Sequence, residues 1–186
     1  MRAALLFIFF GALAEAQITP PSTEWVILDG VRNVAHAQVL YCVQNSIPCT
    51  VLVHPHDEKL ADKRLPESAL INRVSFDYLS PQTPKSLEAI CSGARYLFLD
   101  PEDDNYDTWH ATVLKMTETG IALAHKNNLT IFYPARIYAL KKDEVVAENA
   151  PYEPCTRQGA TAAEIELLLK TASEKKHCKV RTIRVG

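Results

Sequence analysis

The residues best placed to do chemistry stand at Gly30-Val31-Arg32-Asn33, between an apolar run, Trp25-Val26-Ile27-Leu28, and a helix-compatible stretch from Val34 to Asn45. A tight turn feeding a helix leaves the first backbone N–H groups unpaired, which suits a phosphate. Arg32 adds a positive charge to that turn. A second apolar run, Cys49-Thr50-Val51-Leu52-Val53, ends at His54-Pro55-His56-Asp57 with Lys59 close behind. Cationic groups at a strand end could favour a phosphate, although histidines there serve more often as ordinary loop residues. Tyr133, Tyr138 and Tyr152 are conceivable proton donors, which a phenol becomes efficiently only beside a group that lowers its pKa. None stands four residues ahead of a lysine on a predicted helix, since Lys141 and Lys142 follow Tyr138 in a turn-like stretch. The acidic run Asp100-Pro101-Glu102-Asp103-Asp104 lacks the regular spacing of cation ligands and reads as a solvated loop. Five cysteines, at 42, 49, 91, 155 and 178, include no CxxC and no paired-histidine spacing, so no metal site is expected.

The elements that must position these residues alternate in type. Strand, turn, helix and strand within Trp25 to Val53 make a unit of βαβ size, which crosses over right-handed into parallel strands. Asp57 to Arg64 is a charged helix candidate, and Val74 to Leu79 alternates apolar and polar residues like a third strand. A short helix is expected over Lys85 to Cys91, and a fourth strand over Ala94 to Leu99, stopped by Asp100. From Asp107 to Lys126, Trp109, Val113, Met116, Gly120 and Leu123 recur at helical steps, a stripe that reads as core packing. Ile131 to Tyr133 predicts a fifth strand, Ala160 to Lys175 a helix buried along Ile165, Leu168, Leu169 and Ala172, and Val180 to Val185 a sixth strand. Alternating strands and helices without an internal repeat predict a doubly wound parallel α/β sheet of about six strands, covered by helices on both faces.

Composition bounds the rest. A chain of 186 residues, 47% of them hydrophobic, can bury one good core. A formal net charge of -2 supplies no basic field, so nucleic acid is not an expected partner. Arg2, the apolar run Ala3 to Leu13 and the small residues of Ala14-Glu15-Ala16 match a secretory signal peptide over residues 1–16. The run is too short for an ordinary membrane span, so the mature chain, starting near Gln17 with an extended lead-in to residue 24, is expected to have none. Export to a periplasm or the exterior is the expectation, with a cytoplasmic chain as the alternative. The odd cysteine count leans against a disulfide framework. Asn128-Leu129-Thr130 is a glycosylation sequon, meaningful only in a eukaryotic secretory route.

From Trp25 to Gly186 the order of elements resembles the N-terminal, nucleotide-binding part of the NAD-dependent epimerase/dehydratase family, the extended or atypical short-chain dehydrogenase/reductases. Ile131 to Tyr138 is similar to the family's fifth strand and the tyrosine after it. Pro154-Cys155-Thr156-Arg157-Gln158-Gly159 and the residues through Glu166 resemble the start of its catalytic helix, and Ile183-Arg184-Val185-Gly186 its sixth strand. The resemblance implies a Rossmann-like domain over residues 25–186, with a dinucleotide, NAD or NADP, as ligand and a nucleotide sugar or another small molecule as partner. It also implies that most of the substrate-binding portion, which the family builds after that strand, is missing.

Carried over residue by residue, the three motif glycines fall at Gly30, Asn33 and His36. Gly30 suits the tight turn, and Asn33 is the mildest replacement because asparagine tolerates positive φ. His36 is harder to place, since the third glycine permits close helix–strand packing. The resemblance puts the dinucleotide against Gly30, Val31, Arg32 and Asn33, with His54 near the adenosine ribose and Asp100 at the end of the fourth strand. The catalytic tyrosine position holds Gln158 and the lysine position Ala162, while Pro134 or Ala135 replaces the polarising Ser/Thr. Glutamine cannot serve as a general acid or base near neutral pH. No residue can therefore be named as catalytic with assurance, and Tyr138 is the possible substitute. The expectation is a dinucleotide-binding protein with a degenerate glycine motif and weak or absent standard catalysis; the alternative is a non-catalytic binding or regulatory module of the same descent.

Overall fold

The computed structural model describes residues 23–80, 87, 91, 93–140 and 150–185, apart from the side chains of Tyr138 and Val185. The segment 1–16 read as a signal peptide, most of the helix expected over 85–91, and Lys141 and Lys142 lie outside the described residues. A six-stranded sheet, ordered β3-β2-β1-β4-β5-β6 and parallel throughout, forms the centre. Its strands are β1 (Trp25–Leu28), β2 (Cys49–Val53), β3 (Ile71–Ser75), β4 (Tyr96–Leu99), β5 (Thr130–Arg136) and β6 (Lys179–Val185). The helices are α1 (Asn33–Gln44), α2 (Glu58–Arg64), α3 (Trp109–Asn127) and α4 (Arg157–Glu174). This is the doubly wound arrangement expected from the alternation of elements. The chain reverses its direction of travel across the sheet between β1 and β4, and such a switch point opens a crevice above the strands' carboxyl ends.

Alternate strand residues face opposite layers. Val26, Leu28, Leu97, Leu99 and Ile131 pack with Val113, Met116 and Leu123 of α3 and Ile165 and Leu169 of α4. Ile27, Val51, Val53 and Phe98 pack on the other face with Ala35, Val39 and Cys42 of α1. Every member of the Trp109-to-Leu123 stripe is buried. Burial of Val26, Ile27, Leu28, Val51, Leu52 and Val53 is complete, because β1 and β2 are covered on both faces.

Two strands differ from the sequence-based expectation. The third runs over Ile71–Ser75, three residues earlier than the alternation of Val74 to Leu79 suggested. Phe76 and Tyr78 are buried, but beyond the strand, as anchors of the loop that follows it. The strand itself is a half-exposed edge, with Arg73 paired to Glu58 and Asp62, so it carries no apolar face to read. The fifth strand continues through Pro134 to Arg136. Strands β4 and β5 pair as far as Phe132, so proline's missing donor removes no ladder bond on that side.

Gly30 has a sharper role than the turn alone requires. Positive φ falls on its neighbours, Asp29 (53°) and Asn33 (39°), and not on Gly30 itself. What Gly30 supplies is space: a Cβ there would stand 2.6 Å from Val51 Cγ1 and 2.9 Å from Val39 Cγ2. Close packing of α1 on the sheet is therefore vested in Gly30, whereas His36 lies aside, with Nε2 3.1 Å from the Arg64 carbonyl oxygen. The third motif position obstructs nothing. Overpacking of this kind costs about 1–3 kcal/mol, so Gly30→Ala should lower stability in urea unfolding by that amount while His36→Ala, which keeps a good helix former, should cost less; equal effects would refute the assignment.

Candidate functional site

The crevice between the ends of β1 and β4 contains Gly30, Val31, Arg32, Asn33 and Asp100, and His54 stands across from them at the end of β2. A cavity of about 350 Å³ opens there, lined by Arg32, His54, Asp57, Tyr78, Glu102 and Asp103 among others. The geometry at the head of α1 decides what this crevice can do. Arg32, the residue before the helix, makes no side-chain cap. The nearest anion comes from β4: the Asp100 carboxylate, 2% exposed, stands beside the first turn, where the Val34 and Ala35 N–H groups work to lower its pKa. A carboxylate thus stands near the positive end of the helix.

The arginines are equally engaged. Arg32 Nη2 donates to Asp57 Oδ1 at 2.8 Å and to Asp104 Oδ2 at 2.9 Å, and its Nη1 lies 3.8 Å from Asp29 Oδ1. Arg136, at the end of β5, reaches Asp100 Oδ1 at 3.2 Å and also pairs with Glu102. Asn33 Nδ2 and Trp109 Nε1 donate to the same Glu102 carboxylate at 3.2 and 2.9 Å. Five carboxylates, of Asp29, Asp57, Asp100, Glu102 and Asp104, therefore surround two guanidiniums. The local surplus is negative.

Burial shapes the titration of this cluster. Asp29 is 1% exposed and neither carboxyl oxygen has a hydrogen-bond partner. Burial pushes its pKa up to about 7, against the pull of Arg32 and with the help of Asp57, Asp100 and Asp104. Asp100 is likewise raised by burial, with Arg136 and the two α1 N–H groups acting in the opposite sense. Burial also works against the Arg32 charge, but the carboxylates of Asp29, Asp57 and Asp104 outweigh it and raise the guanidinium's pKa.

His54 faces a different group. Its Nε2 lies 3.3 Å from Asp77 Oδ1, and its ring packs 4.9 Å from both Tyr78 and His56. Asp77 also accepts the Leu79 and Ser80 N–H groups, which fixes the loop after β3. Burial raises the Tyr78 phenol, and Asp29 and Asp57 raise it further. Among the described residues, no three His, Cys, Asp or Glu side chains form a group that could hold a metal ion.

The residues aligned with the catalytic pair lie elsewhere. Gln158 is exposed in the first turn of α4, whose N-cap, Thr156, accepts the Gly159 N–H at 2.9 Å. Ala162 is buried against Ala139 and Ala163 in a small apolar contact. Tyr133 is buried in the core, and Tyr152 donates to Glu166 Oε2 at 3.0 Å. Burial and then the Glu166 carboxylate raise the Tyr152 pKa, the reverse of what a proton-transfer tyrosine needs. Tyr138 does stand four residues before Lys142, the spacing of Tyr-x-x-x-Lys. It lies in a 3-10 turn (Ile137–Ala139), followed by extended backbone at Leu140, so that spacing is not helical.

Solved structures share this architecture at low identity. UDP-N-acetylglucosamine 4-epimerase from Methanobrevibacter ruminantium, in complex with UDP-N-acetylmuramic acid, superposes with a TM-score of 0.69 at 14% identity over 88% of this chain and 54% of its own. L-threonine 3-dehydrogenase from Trypanosoma brucei gives 0.66 at 18% identity, over 87% and 52%. A dTDP-glucose 4,6-dehydratase from Streptomyces venezuelae with NAD bound gives 0.65 at 15% identity, over 87% and 55%. The fold is Rossmann-like. No family model and no curated protein matches the sequence. The chain spans about half the length of these solved structures.

The sequence pointed to the turn at Gly30 and to Asp100, but not to the partners that surround them. Asp29, Asp57, Glu102, Asp104 and Arg136 were not singled out as site residues, and Asp100 and Glu102 are not the solvated loop residues the acidic run suggested. Asp104, its side chain 79% exposed, does fit that reading even while it touches Arg32. The one available signal was the coincidence of an acidic run after a strand with an arginine after a neighbouring strand.

A carboxyl whose pKa is raised on folding stabilises the native state most below its unfolded value, and that contribution is lost as pH rises through the folded value. For Asp29 the window runs from the ordinary 3.8 to about 7. The shift corresponds to about 4 kcal/mol. Asp29→Asn should therefore be more stable than the parent at pH 7.5 and lose that advantage below pH 4, read by urea unfolding across pH. A difference independent of pH would show that Asp29 does not titrate in this window.

Proposed function

We propose that this chain descends from the NAD-dependent epimerase/dehydratase family, binds NAD or NADP only weakly, and carries out no chemistry by the family's proton relay. A nucleotide-sugar or other small-molecule site would fall to a portion outside this chain, a reading supported by the span of the solved relatives. The observation that carries the proposal is that Arg32 and Arg136, the cations beside the first N–H groups of α1, are engaged by Asp57, Asp104, Asp100 and Glu102. A pyrophosphate needs those N–H groups and at least one cation. Here it would meet a net negative crevice and must displace internal ion pairs. Gly30, Val31, Arg32 and Asn33 remain the contact surface of this reading, with His54 near the ribose. The non-catalytic alternative is favoured by Gln158 and Ala162, because neither side chain can move or tune a proton.

The test pairs binding with chemistry. Asp100→Asn combined with Asp104→Asn keeps the shapes and removes two charges. It should tighten NADP(H) at least about tenfold, equivalent to 1.4 kcal/mol, in a fluorescence titration. Unchanged affinity in a folded variant would show that these carboxylates do not hold the dinucleotide off. Single-turnover hydride transfer from NAD(P)H to sugar nucleotides and small carbonyls should be absent in both proteins, since acid–base participation alone accounts for about 10²–10⁴-fold. Transfer abolished by Tyr138→Phe at constant nucleotide affinity would contradict the proposal and make Tyr138 the acid.

A further inference from the structure

The cavity of about 350 Å³ at the switch point takes its walls from the segments that follow β1, β2, β3 and β4 and from the first turns of α3, all within the described residues. Asp57 stands after β2, Tyr78 and Leu79 after β3, and Glu102 and Asp103 after β4. Arg32 supplies the guanidinium of those walls, and Asp57 and Asp104 hold it. Asp103 joins Asp29, Asp57, Asp100, Glu102 and Asp104 around the Arg32 and Arg136 charges, so the field in the cavity is negative.

Tyr78 supplies an observation independent of those charges. The residue is 4% exposed, and its ring packs 4.9 Å from that of His54. Its hydroxyl has no hydrogen-bond partner among the described residues and is not one of the atoms sealed from solvent there, so it opens on the cavity it lines. Burial, then the carboxylates of Asp29 and Asp57, keep the phenol protonated, with its oxygen free to accept. Buried polar groups are nearly always hydrogen-bonded, and this one faces a void. Leu79 and the Tyr78 ring add an apolar wall.

We propose that this cavity binds a short aliphatic diamine. Its ammonium groups would face Asp57 on one side and Glu102 and Asp103 on the other, its methylenes would lie on Leu79 and the Tyr78 ring, and the Tyr78 oxygen would accept one N–H. This rests on the same negative crevice that weakens dinucleotide binding under the proposed function. Opposite charges attract more strongly where water is excluded, and each ammonium brings three donors to carboxylate and phenol acceptors. A divalent metal ion fits less well, because among the described residues no three ligand side chains form a group for it. A dianion would add charge of the sign already in surplus.

Calorimetric titration of the full chain at pH 8, above the Asp29 value of about 7, compares butane-1,4-diamine with its neutral and anionic counterparts, butane-1,4-diol and succinate. The diamine should bind at least about tenfold tighter than the diol, with succinate weakest, and added salt should shrink the preference. Asp57→Asn with Asp103→Asn should remove at least about tenfold of the diamine's affinity and leave the diol unchanged. Should that double variant fail to fold by circular dichroism, Tyr78→Phe decides: it keeps the ring and should weaken the diamine about fivefold. Equal binding of diamine and diol, magnesium bound as tightly as the diamine, or a diamine affinity indifferent to these substitutions would overturn the proposal. Refusal of the diamine while Asp100→Asn with Asp104→Asn tightens NADP(H) overturns the diamine site alone. Diamine binding with NADP(H) affinity unchanged in that variant supports the site and overturns only the account of the weak dinucleotide.

Discussion

The carboxylates that hold Arg32 and Arg136, with Asp100 buried beside the head of α1, tie the two halves of the sheet together. Asp100 ends β4 on one side of the switch point, and α1 leaves β1 on the other. A helix start always needs acceptors, and its field favours an anion. With that anion drawn from the protein itself, the neighbouring cations must be shared with it. Arg136 serves Asp100 and Glu102, and Arg32 serves Asp57 and Asp104. The loop after β4 is held down by the same contacts, and so is the entry to α3, through the bond from Trp109 to Glu102.

Buried Asp29 is the unresolved charge of this arrangement. It sits where β1 turns toward α1, holds positive φ, and among the described residues pairs with the Arg32 guanidinium alone, at 3.8 Å. Desolvation therefore dominates its titration. A fold that accepts such a group at the floor of its crevice keeps that floor sensitive to whatever charge lies above it.

The fold was legible because its signals are local and repeated: apolar runs ending in turns, and a helical stripe from Trp109 to Leu123 that needs no partner to be seen. The strand at Ile71–Ser75 was misplaced because an edge strand shows no buried row, and the apolar residues just after it mimic one. Gly30 was legible as a turn glycine, but its collision with Val51 and Val39 depends on how closely α1 approaches the sheet. His36 illustrates the converse, since its harmlessness follows from the direction of its side chain toward Arg64. Apart from Arg32 with Asp29, the ion pairs of the crevice join residues 25 to 72 positions apart, a range over which spacing carries no information.

The two borders of the sheet are unlike its faces. Among the described residues β3 and β6 are the outer strands: β3 displays Arg73, paired with Glu58 and Asp62, while β6 carries Lys179 and Arg181 on one face and Arg184, held by buried Glu166, on the other. An unpaired strand invites another strand to add to it, and charged side chains along the border discourage that addition. Growth by strand joining, the route toward cross-β fibrils, is thus opposed along β3.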